Sequence, residues 1–211
     1  FLSLVLAISG AKLPSLHGTM LLWTFIGAVT QIIATALLLS AMREKSFVVI
    51  TALSKTEPVH VALFGLIVLG DPVSTGLAIA IALATIGVVT MSWPKQPTEW
   101  TPRPILLGII SATFFALSAI GFRRAILSLD SPNFAVQAST TLAIGLTIQV
   151  ALLTTYLFLF DRPTLIALFK AWRPSVKAGF MGAFASQCWF LAFSLESAAK
   201  VLPLVVQQPF D

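Results

Sequence analysis

The sequence predicts an all-helical integral membrane protein, on the basis of its composition and the length of its apolar segments. Of the 211 residues, 57% are hydrophobic and 10% are charged, and the mean hydropathy is +0.96. A soluble domain carries about 25% charged residues, so this composition excludes an ordinary soluble enzyme and a disordered chain. The apolar segments run unbroken for about 20 residues, the length of a membrane-spanning helix. Strands of a membrane barrel would alternate over about ten residues.

Apolar segments and short turns alternate along the chain and predict six complete spans between two partial helices. The first partial helix covers residues 1–9 and the second begins near Ala198. We therefore expect the sequence to be part of a longer protein. The complete spans are predicted at residues 20–42, 46–69, 73–93, 105–126, 134–160 and 178–195.

Turn-forming residues mark the boundaries of these elements. Gly70 follows the second span, as a C-cap glycine does, and Asp71 is expected to cap the next helix. Residues 164–172 are expected to form an interfacial helix with aromatic and basic residues at headgroup depth. The most polar stretch contains four prolines and predicts a loop between two halves. The resulting units are residues 1–93, the loop 94–104, and residues 105–211.

Small residues recur at every fourth position in three spans, which is typical of packing faces between membrane helices. The abundance of alanine and glycine in such helices is the simpler alternative. The three faces are Gly76, Ala80 and Ala84, then Gly108, Ala112 and Ala116, then Ala178, Gly182 and Ser186.

Charge and cysteine content predict no nucleic-acid partner, no metal site and no cofactor. The 13 basic residues exceed the eight acidic ones, but they are scattered among predicted loops and form no basic patch. Arg123 and Arg124 end a span and are expected to be interface anchors. Cys188 is the single cysteine, so it has no partner for an internal disulfide or a thiolate metal site.

The two ends of the chain resemble each other in an ordered way, which predicts an internal repeat. Residues 25–28 read Phe-Ile-Gly-Ala and residues 180–183 read Phe-Met-Gly-Ala. Each stretch is followed by an amide, Gln31 in the first copy and Gln187 in the second, out of register by one residue. A short charged turn that contains a serine comes next in both copies.

Proline positions extend this similarity and predict the orientation of the repeats. Pro58 lies twelve residues after Ser46, and Pro209 lies twelve residues after Ser197. The two prolines enclose five predicted helix-to-helix steps, and an odd number of steps inverts the second copy in the membrane. Inverted repeats with a site at their interface are typical of secondary transporters. We therefore expect two inverted five-helix repeats, or about ten helices in the whole protein.

Residues 52–71 read Ala-Leu-Ser-Lys-Thr-Glu-Pro-Val-His-Val-Ala-Leu-Phe-Gly-Leu-Ile-Val-Leu-Gly-Asp. This stretch resembles the fourth-helix motif of the EamA-like proteins of the drug/metabolite transporter superfamily. The triplet at residues 57–59 and the closing residues 69–71 carry the resemblance, although the family more often has Glu at the last position. Residues 192–209 resemble the equivalent segment of the second repeat, with Gln208 before Pro209 instead of Glu.

This resemblance implies a ten-helix bundle around a central pathway, of which the chain lacks the first helix and the last one or two. It implies export of an amino acid-like, nucleobase-like or drug molecule by alternating access, with a proton or cation as a possible coupling partner. It also implies a bacterial inner membrane location. Substrate identity and oligomeric state do not follow from it.

Glu57 is the only one of the eight acidic residues that lies well inside a predicted span, where an ionisable group is costly and marks function by default. His60 shares its helix face and is expected to tune it, whereas Lys55, two residues away, points elsewhere. Pro58 is expected to kink the helix, and Pro209 is expected to do the same in the second copy. Glu57 is a candidate contact for substrate or a coupling ion, and Lys55 is a further candidate. A structural pair between Glu57 and Lys55 or a neighbouring helix is the alternative.

Glutamines in and near the spans suit a polar pathway, because an amide both donates and accepts hydrogen bonds. Hydrogen bonding between helices is at least as good an interpretation of each one. The repeat favours Gln31 and Gln187 as substrate contacts, and Gln208 is a further candidate. Trp189 could line the cavity or face lipid, and lipid is the preferred alternative. The full set is Gln31, Gln137, Gln149, Gln187, Gln207 and Gln208.

Three classes of function remain. A secondary transporter is preferred, and a non-transporting membrane scaffold or sensor is the second hypothesis. A membrane-embedded enzyme is disfavoured, because the chain has no His-Glu-x-x-His or Gly-x-Ser-x-Gly motif. A polar cavity beside Glu57, Gln31 and Gln187 would favour transport, and a dry bundle would favour a scaffold. Orientation stays open, since the count of basic residues in the loops opposes the orientation that the family resemblance implies.

Overall fold

The computed structural model describes residues 2–10, 14–44, 56–71, 74–91, 102–131 and 133–195. Within these ranges every regular element is a helix, and a π-helical turn at Gly65–Leu69 continues the third one. The helices are α1 (Leu2–Ser9), α2 (Gly18–Glu44), α3 (Glu57–Phe64), α4 (Thr75–Met91), α5 (Pro102–Leu127), α6 (Phe134–Phe160), α7 (Arg162–Lys170) and α8 (Trp172–Leu195).

Four of these helices, α2, α5, α6 and α8, are long and apolar enough to cross a membrane. Large apolar side chains lie exposed along them, among them Leu39, Val150 and Phe180. A bilayer accommodates such side chains, whereas the backbone polar groups must be satisfied inside each helix. The predicted all-helical class is confirmed for the described residues, and four of their helices have the length and apolar composition of membrane spans.

Local side-chain chemistry explains where several helices begin and end. Asn133 caps α6, because its Oδ1 atom accepts hydrogen bonds from two backbone N–H groups of the first turn. Asp161 caps α7 in the same way through Thr164 N–H, at 3.2 Å. Gly70 has a φ of +70° and ends the π-helical turn, which confirms the predicted C-cap, since glycine adopts this left-handed conformation without steric cost.

Differences from the predicted spans lie mainly at helix ends. α5 begins at Pro102, so the last residues of the predicted loop 94–104 form its first helical turn. Proline is tolerated there, because an N–H group in the first turn would have no acceptor within the helix. α8 begins at Trp172 rather than at residue 178. The expected interfacial segment 164–172 is a helix that ends at Lys170.

Some predicted elements fall outside the described residues. The start of the second predicted span is one, and the described part of that span begins at Glu57. The partial helix predicted from Ala198 onward is another. The rest of the layout follows the prediction, and α6 has the predicted bounds, Phe134–Phe160.

Helix α5 lies at the centre of the described bundle and packs against α2, α3, α6 and α8. Half of its membrane-spanning window is buried, more than in the other three long helices. It therefore provides the surface on which the other helices assemble. The core around it consists of Ala28, Val61, Ala116, Ala119, Ile120, Phe122, Ile126, Ala138, Leu142, Phe190 and Phe193.

Helices α2 and α5 approach closely at a pair of glycines. A Cβ atom on Gly121 would lie 3.1 Å from the Cα atom of Gly27, so no larger residue fits without separating the helices. Ser118 Oγ donates to the Gly27 carbonyl at 2.9 Å, and Ser111 Oγ donates to the Ala34 carbonyl at 2.8 Å. Small residues and interhelical hydrogen bonds are the forces that hold helices together in lipid.

Of the three predicted small-residue faces, the one on α5 packs as expected. Gly108, Ala112 and Ala116 are all buried. On α4, Gly76 has no described atom within 4 Å of a Cβ position, and the same is true of Gly182 on α8. The α8 face is divided, because Ala178 and Gly182 are exposed whereas Ser186 is partly buried.

Candidate functional site

A partly open cavity of about 220 Å³ lies between α2, α3, α5 and α8. Glu57 supplies a carboxylate, Gln31 an amide, and Ser118 and Ser186 hydroxyl groups. The remaining lining is apolar and mostly aromatic. It consists of Phe115, Ala119, Phe122, Trp189, Phe190 and Phe193.

Two helices contribute matching faces to this cavity. The lining residues of α5 are at positions 115, 118, 119 and 122, and those of α8 are at positions 186, 189, 190 and 193. Both sets follow the i, i+3, i+4, i+7 spacing of a single helix face. The cavity is thus formed where two regular helices present their inner faces to α2 and α3.

Glu57 lies at the cavity as the first residue of α3, and the buried Pro58 follows it. Proline is well tolerated in the first turn of a helix, and the helix dipole favours a carboxylate at this end. The predicted kink at Pro58 involves the carbonyl of Ser54, which lies outside the described residues. The described irregularity is the π-helical turn Gly65–Leu69, a feature that occurs often at functional sites.

Gln31 reaches the cavity from α2 and is held by a second amide. Gln149 of α6 donates from Nε2 to Gln31 Oε1 at 2.7 Å. The hydrogen bond occupies the carbonyl oxygen of Gln31 and links two membrane-spanning helices. Gln149 therefore acts as an interhelical partner that orients a cavity residue. The glutamines were predicted either to line a polar pathway or to connect helices, and this pair does both.

Phe122 forms a fixed part of the aromatic wall. A Cβ atom on Gly27 or on Gly145 would lie 3.0 Å from its ring atoms, so the ring fills the space that these glycines leave. Its centroid lies 4.8 Å from that of Phe190, with a tilt of 49°. Trp189 and Phe193 form a second tilted pair at 5.5 Å.

The side chain of Arg123 is buried. This corrects the prediction that Arg123 is an anchor at the membrane interface. Its Nε atom lies 3.4 Å from Asp71 Oδ2, and its Nη1 atom donates to the Phe193 carbonyl at 2.6 Å. Asp71 therefore pairs with Arg123 instead of capping α4. At the start of that helix, Ser74 Oγ accepts a hydrogen bond from Leu77 N–H at 3.2 Å.

The structure brings two of the predicted site residues together at the cavity, Glu57 and Gln31. Gln187 is buried beside it, where it donates to Ser139 Oγ at 2.9 Å and its Oε1 atom has no hydrogen-bond partner among the described residues. His60 is not part of the lining, and its Nδ1 atom lies 3.1 Å from the Thr56 carbonyl oxygen.

The other predicted positions are elsewhere or undescribed. Gln137 donates to the carbonyls of Leu129 and Ser131 and so closes the turn before α6. Lys55 and the C-terminal candidates lie outside the described residues. Those C-terminal candidates are Gln207, Gln208 and Pro209.

Sequence reasoning missed the aromatic wall. The prediction that Trp189 faces lipid is wrong, since Trp189 lines the cavity. A signal was present, because Trp189, Phe190 and Phe193 recur at the spacing of one helix face. In a chain with 16 phenylalanines, that spacing alone does not separate a cavity wall from a lipid-facing stripe.

No family model, no curated protein and no solved structure matches the chain.

Proposed function

We propose that the protein is a secondary transporter that exports a small metabolite by alternating access. The observation that carries this proposal is the joint placement of Glu57 and Gln31 in a partly open cavity inside a bundle of apolar helices. An ionisable residue inside a bundle of apolar helices is a functional-site candidate by default, and the cavity gives ligands access to this one.

The origin of the lining residues supports the same proposal. Gln31 and Glu57 precede the predicted loop 94–104, whereas the other lining residues follow it. The cavity thus lies between the two predicted halves of the chain. Secondary transporters bind their substrates at such an interface and alternate by rocking one half against the other. A dry bundle, which the scaffold hypothesis requires, fits this cavity less well.

Counterflow in proteoliposomes tests the proposal with one probe of each expected class. The radiolabelled probes are phenylalanine, adenine and tetraethylammonium. We expect at least one to exchange faster than in protein-free vesicles, and Glu57→Gln to reduce that exchange at least tenfold, as loss of a charged hydrogen-bond contact does.

Asp130→Asn is the matched control, because it removes an exposed carboxylate at a turn and should leave exchange unchanged. Exchange of all three probes at the rate of protein-free vesicles would overturn the proposal. If exchange persists in Glu57→Gln, transport stands but the role of Glu57 fails.

A further inference from the structure

We propose that residues 161–177 form a docking surface for anionic phospholipids, with basic side chains that bind the lipid phosphates. The segment runs from Asp161 through α7 to Lys177 in the second turn of α8. Its position, its apolar side and its charge each support this proposal. The proposal concerns one outer end of the bundle, so it is independent of whether the cavity transports a substrate.

The segment lies at one end of the bundle, between two helices with the length of membrane spans. α6 ends at Phe160 and α8 begins at Trp172, and both helices are long and apolar enough to cross a membrane. Gln187 of α8 reaches back to Ser139 near the start of α6, so the two helices run antiparallel. The nine residues of α7 are too few to cross a bilayer, and they connect the two spans at the membrane surface.

One side of α7 is apolar and little covered by the described protein. Leu165, Leu168 and Phe169 recur at the spacing of one helix face, and no residue of α7 is buried. Phe169 is 71% exposed, and Trp172, the first residue of α8, is 58% exposed. A helix of this kind lies in the membrane interface with its apolar side against the acyl chains, a depth that tryptophan also prefers.

The segment carries an excess of positive charge. Its four basic side chains, at positions 162, 170, 173 and 177, are exposed, and none of them forms an ion pair with a described residue. Asp161 is the only acidic residue in the segment, and its carboxylate accepts a hydrogen bond from Thr164 N–H at 3.2 Å. Clusters of about four to eight basic residues beside a membrane helix bind anionic lipid headgroups.

The two arginines of the segment are held by neighbouring aromatic rings. Arg162 Nε donates to the Phe158 carbonyl at 2.9 Å, and its guanidinium carbon lies 4.6 Å from the centroid of the Phe158 ring. The guanidinium carbon of Arg173 lies 5.5 Å from the ring centroid of Trp172. Arginine binds phosphate oxygens through two parallel N–H donors, and a guanidinium group that is already held loses less freedom when it binds.

The direction of α2 places a further basic residue at the same end. Thr24 of α2 lies beside Gly145 of α6, and Gln31 lies beside Gln149, so the two helices run in the same direction. Arg43, which is exposed in the last turn of α2, therefore lies at the end of the bundle where α6 ends. These charges face one leaflet together, which favours the anionic lipids of that leaflet.

A soluble polyanion, such as a nucleic acid, is the alternative occupant of these basic residues. It would match their charge, but it would leave the apolar side of α7 in water, where apolar surface is unfavourable. A phospholipid satisfies both features, because its phosphate and its acyl chains lie next to each other at the depth of an interfacial helix. The combination of charge and apolar surface therefore favours the lipid.

Microscale thermophoresis of the purified chain in a nonionic detergent tests the proposal with three probes. Dioctanoylphosphatidylglycerol is an anionic lipid, dioctanoylphosphatidylcholine is a zwitterionic lipid with the same chains, and glycerol 3-phosphate is an anion without chains. Each basic residue near an anionic lipid surface raises the affinity by about fivefold. We therefore expect phosphatidylglycerol to bind at least about tenfold more tightly than either of the other probes.

Charge removal at the two ends of the bundle provides the matched variants. Lys177→Gln should weaken phosphatidylglycerol binding by about fivefold, and the double variant Lys170→Gln/Lys177→Gln by at least about tenfold. The side chain of neither lysine forms a hydrogen bond or an ion pair with a described residue, so both variants should fold. Arg124→Gln removes an exposed positive charge at the other end, because α5 runs antiparallel to α2, and should leave binding unchanged.

Four results would overturn the proposal. Equal binding of the two lipids would show no selectivity for an anionic headgroup, and equal losses in Lys177→Gln and Arg124→Gln would show no site at this segment. Glycerol 3-phosphate that binds as tightly as phosphatidylglycerol would identify a site for free phosphate instead of a lipid surface. Tighter binding of a single-stranded oligonucleotide than of phosphatidylglycerol would identify the soluble polyanion as the occupant.

Discussion

The Nε atom of Arg123 lies 3.4 Å from the Oδ2 atom of Asp71, and the two side chains are only 10% and 20% exposed. Arg123 also donates to the carbonyl of Phe193 at 2.6 Å. One guanidinium group therefore connects α5 with α8 and with the segment between the π-helical turn and α4. Removing one partner of a buried ion pair leaves the other charge uncompensated, which is strongly destabilising.

Arg123→Met should lower the stability of the protein by about 2–3 kcal/mol, a value below that of fully buried pairs because both side chains keep some exposure. The measurement is the Tm of the purified protein in detergent. Arg124→Met is the matched control, because Arg124 is the exposed neighbour on the same helix. Equal losses in the two variants would contradict a special role for Arg123.

The pairing itself is tested by a double-mutant cycle between Arg123 and Asp71. We expect Asp71→Leu and Arg123→Met to destabilise individually, and the double variant to lose less than their sum. The coupling should be about 1–3 kcal/mol, as for residues in direct contact. Additive effects would show that the 3.4 Å approach contributes nothing to stability.

The close approach of α2 and α5 predicts a large effect of Gly121→Val. The added side chain would meet the backbone of Gly27, since a Cβ atom there already lies 3.1 Å from its Cα atom. We expect a loss of about 1–3 kcal/mol from overpacking, again read as a lower Tm. Gly182→Val, where nothing lies within 4 Å of the new Cβ, should leave Tm nearly unchanged. A larger loss of Tm in Gly182→Val than in Gly121→Val would contradict the close approach of α2 and α5.

The amide pair between α2 and α6 predicts a smaller coupling. Gln31→Leu and Gln149→Leu each remove one side of the 2.7 Å hydrogen bond. Because hydrogen bonds between membrane helices contribute about 0.6–1.7 kcal/mol, a double-mutant cycle in Tm should give a coupling of that size. Gln149→Leu should also weaken ligand binding, since Gln31 would lose the contact that orients it. Ligand affinity equal to that of the unmodified chain would contradict this orienting role.

Segment-level features were predictable from the sequence because they depend on local chemistry. The bounds of α6 follow from an unbroken apolar segment, and the end of the π-helical turn follows from Gly70. Each of these features needs information from only one stretch of the chain.

Features that depend on contacts between distant segments were not predictable from one sequence. Arg123 at a helix end has the pattern of an interface anchor, and only the position of Asp71 shows why it is buried instead. Trp189 would suit lipid as well as a cavity, and the packing of α5 against α8 decides between them. Glu57 and Gln31 were named from the sequence as candidates for one polar cavity, and only the packing of the helices shows that both line it.

The central claim is that the cavity beside Glu57 is a water-accessible substrate pathway, and cysteine labelling tests it most directly. Ser186→Cys places a thiol at the cavity in a Cys188→Ser background, and the unmodified chain carries its single cysteine at an exposed outer position of the same helix. In sealed vesicles, a charged, membrane-impermeant thiol reagent should label Ser186→Cys from either side and should leave Cys188 of the unmodified chain unlabelled. A Ser186→Cys thiol that reacts from neither side would contradict the account.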